Sequence, residues 1–294
     1  MTETTLPDGV GWTSLLTAYA RAQEQDRPDA TFPDPWASLL VRAALAAPDD
    51  RLPRLGPARD DGGSVLWDMF VAYFGAGRTP FFDDQVRAGL DAGAEQVVVL
   101  ASGMDGRVVR LDVPDGVRVF EVDTQPVHAF KDSVLAAADA DVDRRVPVVA
   151  DLREDWRAAL VEAGFRPGRP TVWTVEGLLM YLPPDAADRL LRDAVEISGP
   201  GSRFAVEYFR RIPEPDSIPL ADEGERHAIR TILGLFEAGP EGDPASFLGR
   251  AGIRAETVTE VPDELRRHGR PVPEVIDVDH TPDPIRIWLA AGVS

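Results

Sequence analysis

Between residues 96 and 207 the chain alternates two kinds of pattern. Residues 96–101 (QVVVLA), 117–122 (VRVFEV), 146–150 (VPVVA), 171–175 (TVWTV) and 203–207 (RFAVE) are short, largely apolar runs. Such runs are typical of strands buried on both faces of a parallel sheet. Residues 125–138, 156–163 and 184–197 lie between them and carry helical periodicity. Strand and helix in alternation predict an α/β fold with a mostly parallel sheet. Right-handed crossovers then place helices on both faces.

The flanks have a different character. Residues 13–25 present apolar side chains at 15, 16, 19 and 20, a helical stripe, and residues 37–47 read as a second helix behind the breaker Pro33-Asp34-Pro35. Residues 65–74 and 83–92 read as two more helices, with GAGRTP (75–80) as a turn that holds Arg78. Residues 49–63 are polar and rich in Asp, Arg, Gly and Pro, hence a loop. After the fifth run, residues 212–220 (IPEPDSIPL) are too proline-rich for a helix interior. Residues 225–236 and 247–251 read as helices, 253–261 as an alternating strand and 284–291 as a terminal strand. The expected layout is one domain: a helical cap over 1–92, a ligand-binding core over 93–209, and a lid insertion with the last strands over 210–294.

Composition excludes several function classes. A chain of 294 residues, 44% hydrophobic, can bury a large core unaided. It has no cysteine, so disulfides, thiolate metal sites and a cysteine nucleophile are out. Its histidines, at 128, 227, 268 and 280, include no pair at metal-ligand spacing, and no metal is expected. Fifty acidic against 31 basic residues, a net charge of −19, argue against nucleic acid as a partner. The N-terminal residues resemble no secretory leader, and no apolar run approaches the roughly 20 residues that span a bilayer. The expectation is a soluble, cytoplasmic protein, monomer or homodimer, without a membrane partner.

In open α/β sheets ligands bind outside the carboxyl ends of the strands. After the first run comes Ser102-Gly103-Met104-Asp105-Gly106-Arg107, small residues that let backbone approach a ligand. The second run ends in Glu121-Val122-Asp123, and an acid some 20 residues beyond the glycine turn can accept both hydroxyls of a ribose. Asp151 and Leu152 end the third, a carboxylate for an adenine amino group and an apolar contact for the ring. Glu176-Gly177 ends the fourth, where a carboxylate can meet a cationic ligand. Singly, each feature is also a tight turn or a helix cap. Together they specify a nucleoside, and the lack of GxGxxG and of a P-loop lysine argues against dinucleotides and nucleoside triphosphates. S-adenosyl-L-methionine, a nucleoside bearing an amino acid and a sulfonium, fits best.

The same segments carry a resemblance. VVVLASGMDGRVVRL, FEVDTQPVHAFK, DLREDW and VEGLLMYLP resemble blocks of the leucine carboxyl methyltransferase-like family, as do RTPFFDD (78–84) and GWTSLLTAYARAQE (11–24). RRHGRPVP (266–273) is similar to a late block of the bacterial branch that includes polyketide O-methyltransferases. The order and spacing match over most of the chain. The resemblance implies a Rossmann-like class I methyltransferase fold with a seven-stranded sheet. It implies Arg78 at the methionine carboxylate of the cofactor, Gly103 and Asp105 in the glycine turn, Asp123 at the ribose with Glu121 beside it, and Asp151 with Leu152 at the adenine. Glu176 then lies near the cofactor's amino group or the substrate, and Tyr181 lines the same pocket. Three positions depart from the family pattern: Gly106 stands for the usual Thr, His268 for the usual Tyr, and Ser102 for Ala or Gly.

The expected activity is methyl transfer to a carboxyl or hydroxyl oxygen of a small-molecule acceptor, a secondary metabolite for example. A carboxylate needs no base, whereas a hydroxyl must lose a proton. His227 and His268 are the candidate bases, and Tyr208 and Phe209 face the expected substrate side, followed by Arg210-Arg211. His128 reads as structural and His280 as a surface residue. Trp67, Phe70, Tyr73 and Phe74, at helical spacing, read as core rather than a substrate cage, and Phe81-Phe82 read as core at least as readily as a cover for the cofactor. Two alternatives stay open: an S-adenosylmethionine-binding enzyme of a natural-product pathway that catalyses a non-methylating step, and a non-catalytic nucleoside-binding protein.

Overall fold

The computed structural model describes residues 5–47, 49, 51–57, 63–210, 214, 218, 220, 222–281 and 284–294. Each of the five apolar runs is a strand: β1 (Gln96–Leu100), β2 (Arg118–Asp123), β3 (Arg145–Val149), β4 (Thr171–Val175) and β5 (Arg203–Phe209). With β6 (Arg254–Glu260) and β7 (Ile287–Val293) they form one seven-stranded sheet in the order β3-β2-β1-β4-β5-β7-β6. The first five strands pair in parallel, and β7 runs antiparallel to both β5 and β6. This is an α/β, Rossmann-like class I methyltransferase fold with a mostly parallel sheet. Side chains of the central strands β1 and β4 are all buried, as continuous apolar runs require, whereas the edge strand β3 alternates.

The strand order reverses between β1 and β4, so the carboxyl ends of these two strands open the crevice where a ligand fits. Four helical segments precede β1: α1 (Gly9–Gln25), α2 (Pro35–Ala46), α3 (Val65–Phe70) and α4 (Thr79–Asp91). α5 (Arg107–Arg110), α6 (Gln125–Ala137), α7 (Trp156–Glu162) and α8 (Pro184–Ile197) connect the parallel strands. α9 (Glu223–Leu233) and α10 (Pro244–Arg250) lie between β5 and β6, and α11 (Val261–Arg267) follows β6. α9 packs its Ala228, Ile229 and Ile232 into the same core as α1, α2 and α3, closing the molecule over the crevice. No helix among the described residues is long and apolar enough to cross a membrane.

The expected turn at GAGRTP is absent. Residues 65–91 are helical without interruption, and Val71–Arg78 form a π-helical stretch joining α3 to α4. The glycines serve packing instead. A Cβ on Gly75 would lie 2.9 Å from Cβ of Glu24 on α1, and one on Gly77 would lie 2.8 Å from Cγ1 of Val261 on α11. The missing side chains let three helices meet, which outweighs the roughly 1 kcal/mol helix penalty of each glycine. α11 is a helix that the sequence reading did not include; it ends at Arg267, and residues 268–269 of the RRHGRPVP block form the turn behind it.

Arg270, just beyond α11, is buried and ties the late block to the cap. Its Nη2 donates to Glu24 Oε1 at 2.6 Å, and its Nη1 pairs with Asp29. Glu24 Oε1 in turn accepts from the Thr31 amide at 3.0 Å. Of the predicted loops, residues 50 and 58–62 of the 49–63 segment lie outside the described residues, as do Arg211 and all of 212–220 except 214, 218 and 220.

Candidate active site

One cavity of about 330 Å³ lies over the carboxyl ends of β1, β2 and β4, roofed by α1 and α9. Arg78, Gly103, Asp105, Asp123, Asp151, Leu152, Glu176 and Tyr181 all line it. Asp123 ends β2 with its Oδ2 accepting from the Gly103 amide at 2.7 Å and its Oδ1 from the Thr124 amide at 2.7 Å. Each oxygen keeps a lone pair that a ribose hydroxyl can use. Gly103 has φ +48°, and a Cβ there would meet Cβ of Ser14 at 2.6 Å, so only glycine fits between the turn and α1. Ser102 adds a hydroxyl that is buried on the cavity wall without a protein partner among the described residues.

Asp151 pairs with Arg153 at 2.6 Å, and this neighbour holds its carboxyl below the usual range. Leu152 packs against the main core beside it. Tyr181, on the turn after β4, donates to Thr13 Oγ1 of α1 at 3.2 Å and meets Phe236 edge-on at 5.1 Å. Burial pushes its phenol up.

Beneath the cavity floor lies a buried ionic network. Arg78 Nε faces Glu176 Oε1 at 3.0 Å and Arg78 Nη1 donates to Glu207 Oε2 at 2.9 Å. The guanidinium stacks on Phe74, 4.6 Å from the ring centre. Arg107 pairs with Glu176 at 2.7 Å and Asp83 at 2.8 Å, and also with Asp105. Asp83 holds Arg110 as well, and Asp34 holds Arg21 at 2.8 Å. Burial brings Arg78 down to about 10 against the pull of Glu176. Burial would raise Asp105, but Arg107, Lys131 and Arg110 hold it well below the carboxylate range. Burial pushes Glu207 up to about 8, and the Gly177 N–H only partly offsets this.

Four expected site residues lie elsewhere. Glu121 is buried under β2 and bound by Lys131 at 2.7 Å and Arg145 at 2.6 Å, which keep it off the cavity wall. Tyr208 and Phe209 point to opposite faces of β5, as neighbours in a strand must. Phe209 lines the cavity, whereas Tyr208 packs on Phe247 and Trp288 and donates to the Gly242 carbonyl at 3.3 Å. His227 is exposed, because α9 turns Ile229, Ile232 and Leu233 inward. His268 caps α11 outside the cavity, next to Arg267, and burial and that arginine lower its imidazole.

The other sequence candidates sort as follows. His128 is structural: its Nε2 meets the Val148 carbonyl at 3.2 Å and its Nδ1 meets Arg145. His280 bonds Asp277 at the surface. Phe70, Tyr73 and Phe74 line the cavity, while Trp67, Phe81 and Phe82 are core. Arg210 stacks on Trp288. At Gly106 a Cβ would lie 2.9 Å from Asp34 Oδ1, so the α2 cap fills the space of the family's threonine.

Sequence reasoning missed Arg21 and Leu233 as wall residues and Arg107, Asp83 and Glu207 as the ionic floor, and it read Phe70, Tyr73 and Phe74 as core where they line the cavity. A charged residue inside an apolar strand, as in RFAVE, was the signal available for Glu207. The cavity has two kinds of wall. β2 and the turns after β1, β2, β3 and β4 supply polar groups. α3, the π stretch, β5, α9 with the segment behind it, and residues 276–287 supply Phe70, Phe74, Phe209, Ile229, Ile232, Phe236 and Ile287. No His, Asp, Glu or Lys among the described residues lines that second part.

Comparison with known proteins agrees with this geometry. The pattern of the leucine carboxyl methyltransferase family matches residues 14–195. A Parafrankia sp. (strain EAN1pec) protein is 42% identical over 280 residues, covering 92% of this chain and 84% of its own length. A Rhodococcus jostii (strain RHA1) protein is 42% identical over 274 residues, covering 90% of each. Both carry the name of an S-adenosyl-L-methionine-dependent methyltransferase. A crystal structure titled as a methyltransferase from Thermobifida fusca aligns with TM-score 0.55 at 18% identity, over 96% of this chain and 94% of that one, a likeness of fold. The chain belongs to the leucine carboxyl methyltransferase family and is an S-adenosyl-L-methionine-dependent methyltransferase.

Proposed function

We propose that the chain methylates an oxygen of an apolar small molecule, and that this oxygen belongs to a carboxylate. The observation that carries the reading is the apolar second part of the cavity, which among the described residues offers no His, Asp, Glu or Lys to take a proton. A phenol or alcohol gains from a base, whereas a carboxylate is already ionised at neutral pH. An apolar wall also strips water from the acceptor and so sharpens its nucleophilicity.

When bound, the cofactor supplies an electrophilic methyl on its sulfonium for in-line displacement, in which a C–O bond forms as the S–C bond breaks. The chain's part is placement and exclusion of water. Asp123 and the Gly103 turn would hold the ribose, with Asp151 and Leu152 at the adenine. Arg78 would hold the methionine carboxylate, and Glu176 would meet the ammonium; both line the cavity. Ser102, with its unpartnered buried hydroxyl, fits a polar ligand at this place.

The test uses S-adenosylmethionine labelled in its methyl group, with a panel of apolar carboxylic acids and apolar phenols. Esters release labelled methanol in mild alkali and ethers do not. Alkali-labile product from the acids supports the proposal. Turnover confined to phenols, with alkali-stable product, refutes the carboxylate assignment while leaving methyl transfer intact.

A further inference from the structure

Arg78 is placed by resemblance at the cofactor's carboxylate, yet its own position has a cause that lies in no family block quoted above. Glu207 sits in the middle of β5, fully buried, opposite Leu289 of β7. Its Oε2 accepts from Arg78 Nη1 at 2.9 Å and from the Gly177 amide at 2.9 Å. One oxygen of the Glu207 carboxyl group therefore joins the end of the π stretch to the turn after β4, and that turn also carries Glu176. Glu207 does not line the cavity. Its other oxygen, Oε1, has no partner among the described residues, so a buried acid is retained here for the two bonds made by Oε2. Without it, nothing in the floor fixes Nη1, and the long arginine side chain regains freedom that carboxylate binding would have to remove.

We infer that Glu207 is a positioning residue, which aims Arg78 and the Glu176–Gly177 turn at the amino-acid end of the cofactor without touching the cofactor itself. This rests on the cofactor placement above. It separates two ligands. S-adenosylhomocysteine carries the amino-acid end; 5′-methylthioadenosine has the same nucleoside and lacks it.

Calorimetric titration of both ligands into the full chain tests the inference. Glu207→Ala, and Glu207→Asp as the milder change that withdraws the oxygen by one methylene, should weaken S-adenosylhomocysteine about tenfold or more. Binding of 5′-methylthioadenosine should stay within about twofold of the unaltered protein. Glu207→Gln keeps an oxygen that can accept both bonds and should restore S-adenosylhomocysteine to within about threefold. Equal weakening of both ligands would show a merely structural role and overturn the inference. Unchanged S-adenosylhomocysteine binding in both Glu207→Ala and Glu207→Asp would overturn it too. Failure of the unaltered protein to bind either ligand would instead remove the cofactor placement itself.

Discussion

At the scale of single residues the site is governed by buried charge. Arg78, Arg107, Arg110 and Arg21 share Asp34, Asp83, Asp105, Glu176 and Glu207 in a largely buried network, part of which lines the cavity. Burial pushes Glu207 up to about 8, and this has a measurable sign. A glutamate in the unfolded chain releases its proton near 4.5, whereas burial keeps it on in the folded chain up to about 8. Across that window the folded state binds the extra proton, so the stability contribution falls as pH rises. The unfolding free energy of Glu207→Gln relative to wild type should therefore grow from pH 4.5 to about 8 and level off above it. Denaturant titrations across that range check this; a difference independent of pH would contradict it.

Elements were legible to the extent that periodicity alone decides them. The five buried strands and the helices between them follow from apolar runs and 3.6-residue stripes, and so does the cofactor face, because loops at strand ends are fixed by the sheet. The π stretch was illegible for a stated reason: glycine signals a turn locally, and here its lack of a side chain is used by neighbours far away in sequence. Gly77→Ala makes the point testable. Alanine favours a helix by at most about 1 kcal/mol. Its Cβ, 2.8 Å from Val261 Cγ1, must push α11 or the π stretch aside, at a cost of roughly 1–3 kcal/mol. The variant should melt below wild type in a thermal scan, and a raised melting temperature would show that the helices yield freely. The same logic explains the misplaced bases. His227 and His268 stood near the substrate side in sequence, but only tertiary packing decides which face of α9 turns inward.

For the molecule as a whole, the dominant quantity is the excess of acid. A formal charge of −19 on 294 residues makes the folded state repel itself. Many surface arginines already sit in ion pairs, for example Arg157 with Glu196 and Arg250 with Asp188, so few cations remain to offset the rest. Salt screens repulsion between exposed charges over about 10 Å at 0.1 M. The melting temperature should thus rise when sodium chloride goes from about 0.01 M to about 0.1 M, as scanning calorimetry would show. A fall would mean that the ion pairs outweigh the repulsion.

Arg270 gives the chain a history as well as a shape. Its partners Glu24 and Asp29 come off the ribosome some 240 residues earlier, at a separation of 246 for Glu24. The α1 side of the roof therefore precedes by far the residue that fastens it. Until residue 270 has emerged, Glu24 lacks its buried guanidinium partner and has only the more exposed Arg27 beside it. The end of α1 and the block that fastens it are thus joined only after strands β1 to β6, which lie between them in sequence, have been made.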